Sequence, residues 1–213
     1  MKTTYLIDGR EIGADGEERK AAMTGCPEIC TVAVDETAQE VRAFRRKEDF
    51  ERWVRAQPFG PKYAESEEMV HQAREFQSRD HQHLLERQQL VTQRVREDLS
   101  ELSRRMGVPL TSRELLDVAH HGSALLDPPI LHSAILFDYS PQGAVTGVLL
   151  IGVPIPTFGG GNDRTSQLDV IGSVTTLYDR TWWRGDRQSF FGSGFFTMVT
   201  SNLNNRAASG TCL

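Results

Sequence analysis

The chain has 213 residues, of which 38% are hydrophobic and 25% charged, a composition that excludes a largely disordered protein. Its net charge of -5 provides no general basic field for phosphates, so we expect no nucleic-acid partner. The longest apolar run, residues 147–156, is far shorter than the roughly 20 residues that cross a bilayer, so we expect no membrane partner.

The N-terminus and the cysteines indicate a reducing compartment. The first twenty residues contain no apolar segment typical of a secretory signal, which predicts a cytoplasmic protein, with export by another route or assembly into a coat left open. Cys26 and Cys30 lie four residues apart, and Cys212 is next to the C-terminus. These positions favour reduced thiols over a disulfide framework, a zinc site or a redox pair.

Residues 1–60 are predicted to form a small α+β module. Alternating apolar and polar residues indicate short strands at 3–7, 31–34 and 41–44. An Asp-Gly pair after the first of them indicates a tight turn. Phe50, Trp53 and Val54 share one face of a predicted helix and can cover a small sheet. No pattern in this module indicates catalysis.

Residues 61–108 are predicted to form one long amphipathic helix, because no Gly or Pro occurs between Lys62 and Gly107. A helix over residues 64–106 would span roughly 65 Å. Its apolar residues follow steps of three and four: Met69, Ala73, Phe76, Leu84, Val91, Val95, Leu99, Leu102 and Met106. This stripe predicts either packing against the chain's own domains or a self-associating coiled coil, and the second alternative predicts a homo-oligomer. The sequence identifies no other protein partner.

Residues 109–130 are predicted to contain a short helix and a linker. A Gly and a Pro near its start stop the preceding helix. Thr111 and Glu114 are the ends of a capping-box sequence, which predicts a short helix toward His120.

Residues 131–213 differ from the rest of the chain in composition. Every Lys and every Glu lies before this segment, which holds 11 of the 18 Gly and 10 of the 17 aromatic residues. Such a composition is typical of a turn-rich antiparallel β domain.

This last segment repeats itself. The sequence ILFDYSPQG around Phe137 matches TLYDRTWWRG around Tyr178, with an offset of 41 residues. The bend at Asn162 matches the bend at Asn204, with an offset of 42. Each unit has about four strand-like stretches, so we expect two Greek-key motifs that close into one sandwich.

The repeated residues resemble the βγ-crystallin superfamily, specifically its microbial calcium-binding members. The family's corner motif is an aromatic residue, four further residues, a second aromatic residue, one residue and a Gly. Tyr178, Trp183 and Gly185 match it in full, whereas the first unit retains Phe137 and Gly143 with one residue deleted and the second aromatic lost. The resemblance implies a Greek-key sandwich and covers about 80 residues.

The family's calcium signature is two Asn or Asp residues, two free positions, a Ser or Thr, and a Ser. The first unit has Asn162, Asp163, Arg164, Thr165 and Ser166, followed by Gln167 in the last place. The second unit has Asn204, Asn205, Arg206 and Ala207, followed by Ala208 in the Ser/Thr place and Ser209 in the last.

The resemblance implies two Ca²⁺ sites that exchange ligands between the repeats. The site that we call the complete site would use the side chains of Asn204 and Asn205, the carbonyls of Arg206 and Asp179, and the Ser166 hydroxyl. These oxygen donors suit Ca²⁺, a hard cation that takes six to eight oxygens.

The second site, which we call the weakened site, would use Asn162, Asp163, and the carbonyls of Arg164 and Asp138. It would meet the methyl group of Ala208 where a hydroxyl is needed, so we expect it to be weaker or empty. Because only Asp163 among the four Asn/Asp places of the two sites is ionised, we expect modest calcium affinity.

The sequence therefore predicts a nonenzymatic structural or scaffolding protein that self-assembles through its long helix and is stabilised by calcium in its C-terminal sandwich. Two alternatives remain open. One is a protein-binding module, because the family is related to microbial metalloproteinase inhibitors, and the other is a crystallin-like domain without metal. An enzyme would require a deep pocket with shifted titratable groups.

Overall fold

The computed structural model describes residues 2–13, 16–35, 37–75, 80–112, 114–116, 132–138, 144–158, 165–171, 174–198 and 206–213. The chain is a mixed α+β protein, as predicted, and its described strands form two sheets. Its elements are β1 (Lys2–Ile7), β2 (Arg10–Glu11), α1 (Gly16–Thr24), β3 (Glu28–Ala33), β4 (Ala38–Phe44), α2 (Lys47–Arg55), α3 (Gly60–Glu75), α4 (Asp80–Met106), β5 (His132–Phe137), β6 (Val145–Leu150), β7 (Gln167–Val170), β8 (Val174–Arg180), β9 (Arg184–Phe191), β10 (Gly194–Thr197) and β11 (Ser209–Cys212).

The N-terminal module contains the predicted strands as β1, β3 and β4. Asp8 and Gly9 form the two-residue turn between β1 and β2, with φ angles of 48° and 81°, which an Asp-Gly pair readily adopts. Phe50 and Val54 of α2 are buried, as their spacing predicts. Helix α1 was not predicted, because its sequence GEERKAAMT has little apolar periodicity.

The C-terminal segment forms the two Greek keys that the repeat predicts. Strands β5, β6 and β7 belong to the first repeat, and β8 to β11 belong to the second. The repeats exchange a strand, since β10 pairs with β7 while Ile155 of the first repeat bridges Gly210 of the second. The interior includes Leu136, Leu168 and Phe190, all fully buried. Each such side chain contributes roughly 1.5–3 kcal/mol through burial.

The N-terminal module continues the sheet of the second repeat. Strand β3 pairs in parallel with β9, from Glu28 opposite Arg187 to Val32 opposite Phe191, which produces the strand order β11-β8-β9-β3-β4-β1-β2. This pairing satisfies the backbone groups along one edge of β9. The Phe59 ring stacks on Phe191 with 3.9 Å between centroids. Module and sandwich therefore share one sheet and one aromatic cluster.

The predicted long helix is described as two helices, α3 and α4, and residues 76–79 between them lie outside the described residues. Helix α3 packs on β8 and β11, where the Ser66 hydroxyl lies 2.9 Å from the Thr211 hydroxyl. Helix α4 packs on β6 of the first repeat, and its Arg96 donates two hydrogen bonds to the Val145 carbonyl.

The apolar stripe of α4 faces the chain's own sandwich. Val95 and Leu99 are buried against Phe137 and Val148 of the first repeat. Val91, Leu102 and Met106 pack against the same cluster. These contacts favour the first of the two alternatives for the stripe, because its described residues are covered without a coiled-coil partner.

Part of the predicted segment after α4 is described. Leu115 and Leu116 are buried, and the Leu116 amide donates to the Ser112 carbonyl at 3.0 Å. The rest of the short helix and of the linker lies outside the described residues. In the part of the chain that the structure describes, no helix is long and apolar enough to cross a membrane.

Candidate functional site

Four of the predicted calcium ligands lie within the described residues: Asp138, Ser166, Asp179 and Arg206. The other five lie outside them: Asn162, Asp163, Arg164, Asn204 and Asn205. The described part of the predicted sites consists of residues at strand ends and residues toward the end of each predicted bend.

The two repeats share one backbone hydrogen bond at equivalent residues of their calcium signatures. The Ser166 amide donates to the Phe137 carbonyl at 2.8 Å, and the Ala208 amide donates to the Tyr178 carbonyl at 2.8 Å. These contacts lie in the register that the sequence repeat predicts. They place Ser166 beside the strand end of Asp138 in its own repeat, and the assignment of its hydroxyl to the complete site in the other repeat stays a prediction.

The Asp138 side chain closes the connection between β5 and β6. Its Oδ1 accepts a hydrogen bond from the Ala144 amide at 2.9 Å, and its own amide donates to the Ala144 carbonyl at 3.0 Å. The Asp138 carboxylate thus has a structural hydrogen bond. The predicted ligand of the weakened site is a different group, the backbone carbonyl of Asp138.

Asp179, the equivalent residue of the second repeat, is held differently. Its side chain is only 4% exposed, and its Oδ2 lies 2.5 Å from the Arg206 Nη2. Its Oδ1 is buried and has no hydrogen-bond partner among the described residues. A buried carboxylate oxygen without a partner is costly, so this group is a candidate acceptor for a cation.

Gly185 makes room for the Asp179 carboxylate. A Cβ atom at Gly185 would lie 1.8 Å from the Asp179 Oδ1, and the glycine has a φ of 78° that other residues adopt only with strain. Both facts explain why the corner motif ends in glycine.

The aromatic corner is anchored by Ser209, the last place of the second calcium signature. Its hydroxyl donates to the Arg180 carbonyl at 2.7 Å and accepts from the Trp183 amide at 3.1 Å. The Trp183 ring, 1% exposed, donates from its Nε1 to the Gly210 carbonyl at 3.3 Å. Ser209 therefore stabilises the corner.

A second candidate site lies where β3, α2, α3 and β9 meet. It is a cleft of about 590 Å³, which we call the junction cleft. Arg187 on its floor donates to both oxygens of Glu28, at 2.9 and 3.2 Å, and to Glu67 at 2.5 Å. The Tyr178 hydroxyl donates to Glu67 at 3.2 Å. This network joins the N-terminal module and α3 to the second repeat.

Burial controls the titration of the cleft floor. It raises the pKa of Glu28, and the hydrogen bond and charge of Arg187 offset this only in part. Burial also raises the pKa of Tyr178, and the neighbouring charge of Glu67 adds to the effect. The tyrosine hydroxyl is therefore a protonated donor at neutral pH.

The sequence offered no signal for the junction cleft. Arg187 and Glu28 are 159 residues apart, and Arg187 and Glu67 are 120 apart, so their spacing indicates nothing. The three cysteines are free and buried. Among the described residues, no group of three His, Cys, Asp or Glu side chains could hold a metal ion.

Solved structures similar to the chain are βγ-crystallin domains, as the sequence motifs predict. One of them, from work on the evolution of the eye lens βγ-crystallin domain fold, is 18% identical to this chain. The match covers 40% of this chain and 88% of the crystallin chain, with a TM-score of 0.34. A βγ-crystallin from an Archaea is 16% identical and covers 38% of this chain and 98% of that chain, with a TM-score of 0.32.

A βγ-crystallin domain from Flavobacterium johnsoniae is also similar to the chain. It is 16% identical and covers 39% of this chain and 93% of that chain, with a TM-score of 0.29. No protein-family model matches the chain, and no curated protein matches it.

Proposed function

We propose that the chain is a nonenzymatic structural protein whose βγ-crystallin-like region binds Ca²⁺ and is stabilised by it. The observation that carries this proposal is the Asp179 carboxylate, which is buried and contacts Arg206 in the second calcium signature. One of its oxygens has no hydrogen-bond partner in the described part of the chain. Hard oxygen donors of this kind are the ligands that Ca²⁺ prefers.

In this proposal the complete site holds the ion of higher affinity. Asn204, Asn205 and Ser166 would supply side-chain oxygens, and Arg206 and Asp179 would supply carbonyls. The Asp179 carboxylate lies beside them, with its Oδ2 paired to Arg206. The weakened site would bind less tightly, because Ala208 has no oxygen in its side chain.

Calcium would stabilise the fold because it binds the folded chain alone. At a free concentration ten times the Kd, the gain is about 1.4 kcal/mol. A structural role needs no further chemistry.

The decisive experiment is thermal unfolding of the full chain with millimolar Ca²⁺, with Mg²⁺, and with a chelator. We expect Ca²⁺ to raise the Tm more than Mg²⁺ does, and Ser166→Ala to reduce that increase. Ser100→Ala, on the exposed face of α4, is the matched control and should respond like the wild type. A Tm that calcium leaves unchanged would instead favour a crystallin-like domain without metal.

An enzymatic function is less well supported than a structural one. The junction cleft does contain a carboxyl group with a raised pKa, Glu28. Both of its oxygens accept hydrogen bonds from Arg187, however, and Glu67 is bound to the same guanidinium group. Carboxyl groups held in this way fit a structural ion network better than acid–base catalysis.

Self-assembly through the 64–106 helix is the second part of the proposal. The packing of Val95 and Leu99 on the chain's own sandwich reduces its support, while Leu90 of α4 is 68% exposed and available to a second chain. Sedimentation equilibrium of the wild type and Leu90→Glu tests it. An oligomer that the substitution dissociates would support self-assembly, and a monomeric wild type would exclude it.

A further inference from the structure

We propose that the junction cleft binds a small multivalent oxyanion, a ligand that carries a phosphoryl group or several carboxyl groups. This inference does not depend on calcium binding, and it uses none of the predicted calcium ligands.

The shape of the cleft suits a small molecule. Its volume of about 590 Å³ falls within the range of roughly 300–1,000 Å³ that is common for such sites. It forms only when β3, α3 and the β8–β9 hairpin are assembled, and most of its lining side chains are charged or polar. A polar ligand is therefore expected.

Three cations with few or no partners among the described residues lie along the rim. Arg74 and Arg184 both line the cleft and are exposed, and neither forms an ion pair or side-chain hydrogen bond within the described part of the chain. Lys47 adds a third positive charge, and its Nζ has only a loose contact with Glu51 at 3.5 Å. Guanidinium groups bind carboxylate and phosphate with paired hydrogen bonds.

The hairpin register adds a second, independent observation. Arg184 lies directly opposite Arg180 across β8 and β9. Like charges in this position destabilise a sheet. Arg184 lines the cleft and Arg180 does not, so an anion bound at Arg184 would reduce the repulsion from that side.

The carboxylates of the cleft do not reverse this preference. Glu28 and Glu67 are bound to Arg187 on the floor. Asp186 is the exposed carboxylate of the lining without a partner among the described residues, and it opposes three rim cations. Removing its charge should therefore strengthen anion binding.

The test is calorimetric titration of the full chain with pyrophosphate and, separately, with citrate in calcium-free buffer. We expect saturable binding of at least one of them at one anion per chain. Arg184→Gln and Arg74→Gln should each raise the Kd about tenfold, and Asp186→Asn should lower it severalfold. Arg55→Gln, an exposed arginine of α2 outside the cleft, is the matched control and should leave the Kd unchanged.

Each outcome has a defined consequence, provided that circular dichroism shows each variant to be folded. Binding of pyrophosphate alone identifies a phosphoryl ligand, and binding of citrate alone identifies a polycarboxylate. Absence of saturable binding for both anions overturns the proposal. Equal losses in Arg55→Gln and Arg184→Gln also overturn it, because they would indicate general charge screening.

Discussion

The two Greek-key repeats share a backbone arrangement but differ in the side chains at their strand ends. In both, the residue after the bend donates its amide to the carbonyl of the corner aromatic, Phe137 or Tyr178. In the first repeat the Asp138 side chain accepts a hydrogen bond from the Ala144 amide. In the second, Asp179 has a buried oxygen for which the described residues offer no hydrogen-bond partner. The two repeats therefore share their backbone hydrogen bonds, while the partners of their aspartate side chains differ.

The repeats also differ in what the rest of the chain contributes. The first is covered by α4, whose Arg96 bonds the edge of β6. The second is extended by β3 and connected through Arg187 to Glu28 and Glu67. The cover of the first repeat is mainly apolar, whereas the junction combines an aromatic cluster with the paired charges around Arg187. Loss of a single charged partner should thus affect the second repeat more.

The largest expected effect is at the aromatic corner, which the second repeat alone has in full. Trp183→Ala removes a side chain that is 1% exposed and should lower the free energy of unfolding by about 3–5 kcal/mol. Trp182→Ala, at a residue that is 37% exposed, is the neighbouring control and should lower it by about 1 kcal/mol or less. Denaturant unfolding measures both, and similar losses would show that the corner is not a main source of stability.

The junction network should have the next largest effect. Arg187→Met leaves the nearly buried Glu28 without its partner and should cost about 3 kcal/mol. The double variant Glu28→Gln with Arg187→Met should recover part of that loss. If the double variant is as unstable as the sum of the single ones, the two residues do not act as a pair.

Substitution of glycine separates backbone strain from the Asp179 contact. Gly185 has a positive φ, and a Cβ atom at this position would lie 1.8 Å from the Asp179 Oδ1. We therefore expect Gly185→Ala to lower the free energy of unfolding by about 2 kcal/mol. Gly152→Ala in the first repeat is the matched control. Gly152 has a φ of 70°, and an added Cβ atom would meet no other atom within 4 Å. We expect this substitution to lower the free energy of unfolding by about 1 kcal/mol. Equal losses, measured by denaturant unfolding, would mean that the Asp179 contact is not significant.

Exchange of one hydroxyl should make the two calcium sites more alike. Ala208→Ser restores an oxygen in the weakened site, so isothermal titration should show a second calcium ion bound or a lower Kd for it. Ser166→Ala should raise the Kd of the complete site. Unchanged calcium binding in both variants would contradict the exchange of ligands between repeats.

The smallest expected effect is a pH dependence at the junction. The pKa of Glu28 is raised in the folded chain. Between the ordinary pKa of a glutamate and this raised pKa, Glu28 keeps its proton in the folded chain and loses it in the unfolded chain. The free energy of unfolding should therefore fall as the pH rises through this window. Glu28→Gln should remove that decline, and parallel stability curves for the two proteins would contradict it.

The sequence predicts well what depends on neighbouring residues. The Asp8-Gly9 turn and the apolar face of α2 were predicted because turn geometry and helical spacing are local properties. The helix α1 was missed because its local pattern is weak. The calcium signatures are also local, but most of their residues lie outside the described part of the chain, so the site stays a prediction.

By itself the sequence determined the two Greek keys, because the repeat at offsets of 41 and 42 residues places equivalent strands in equivalent positions. Only the tertiary structure decided that β3 joins β9 and that Arg187 meets Glu28. It also decided that the stripe of α4 covers the sandwich. The physical reason is distance along the chain: hydrogen-bonded edges and buried ion pairs link residues more than a hundred positions apart, where periodicity carries no information.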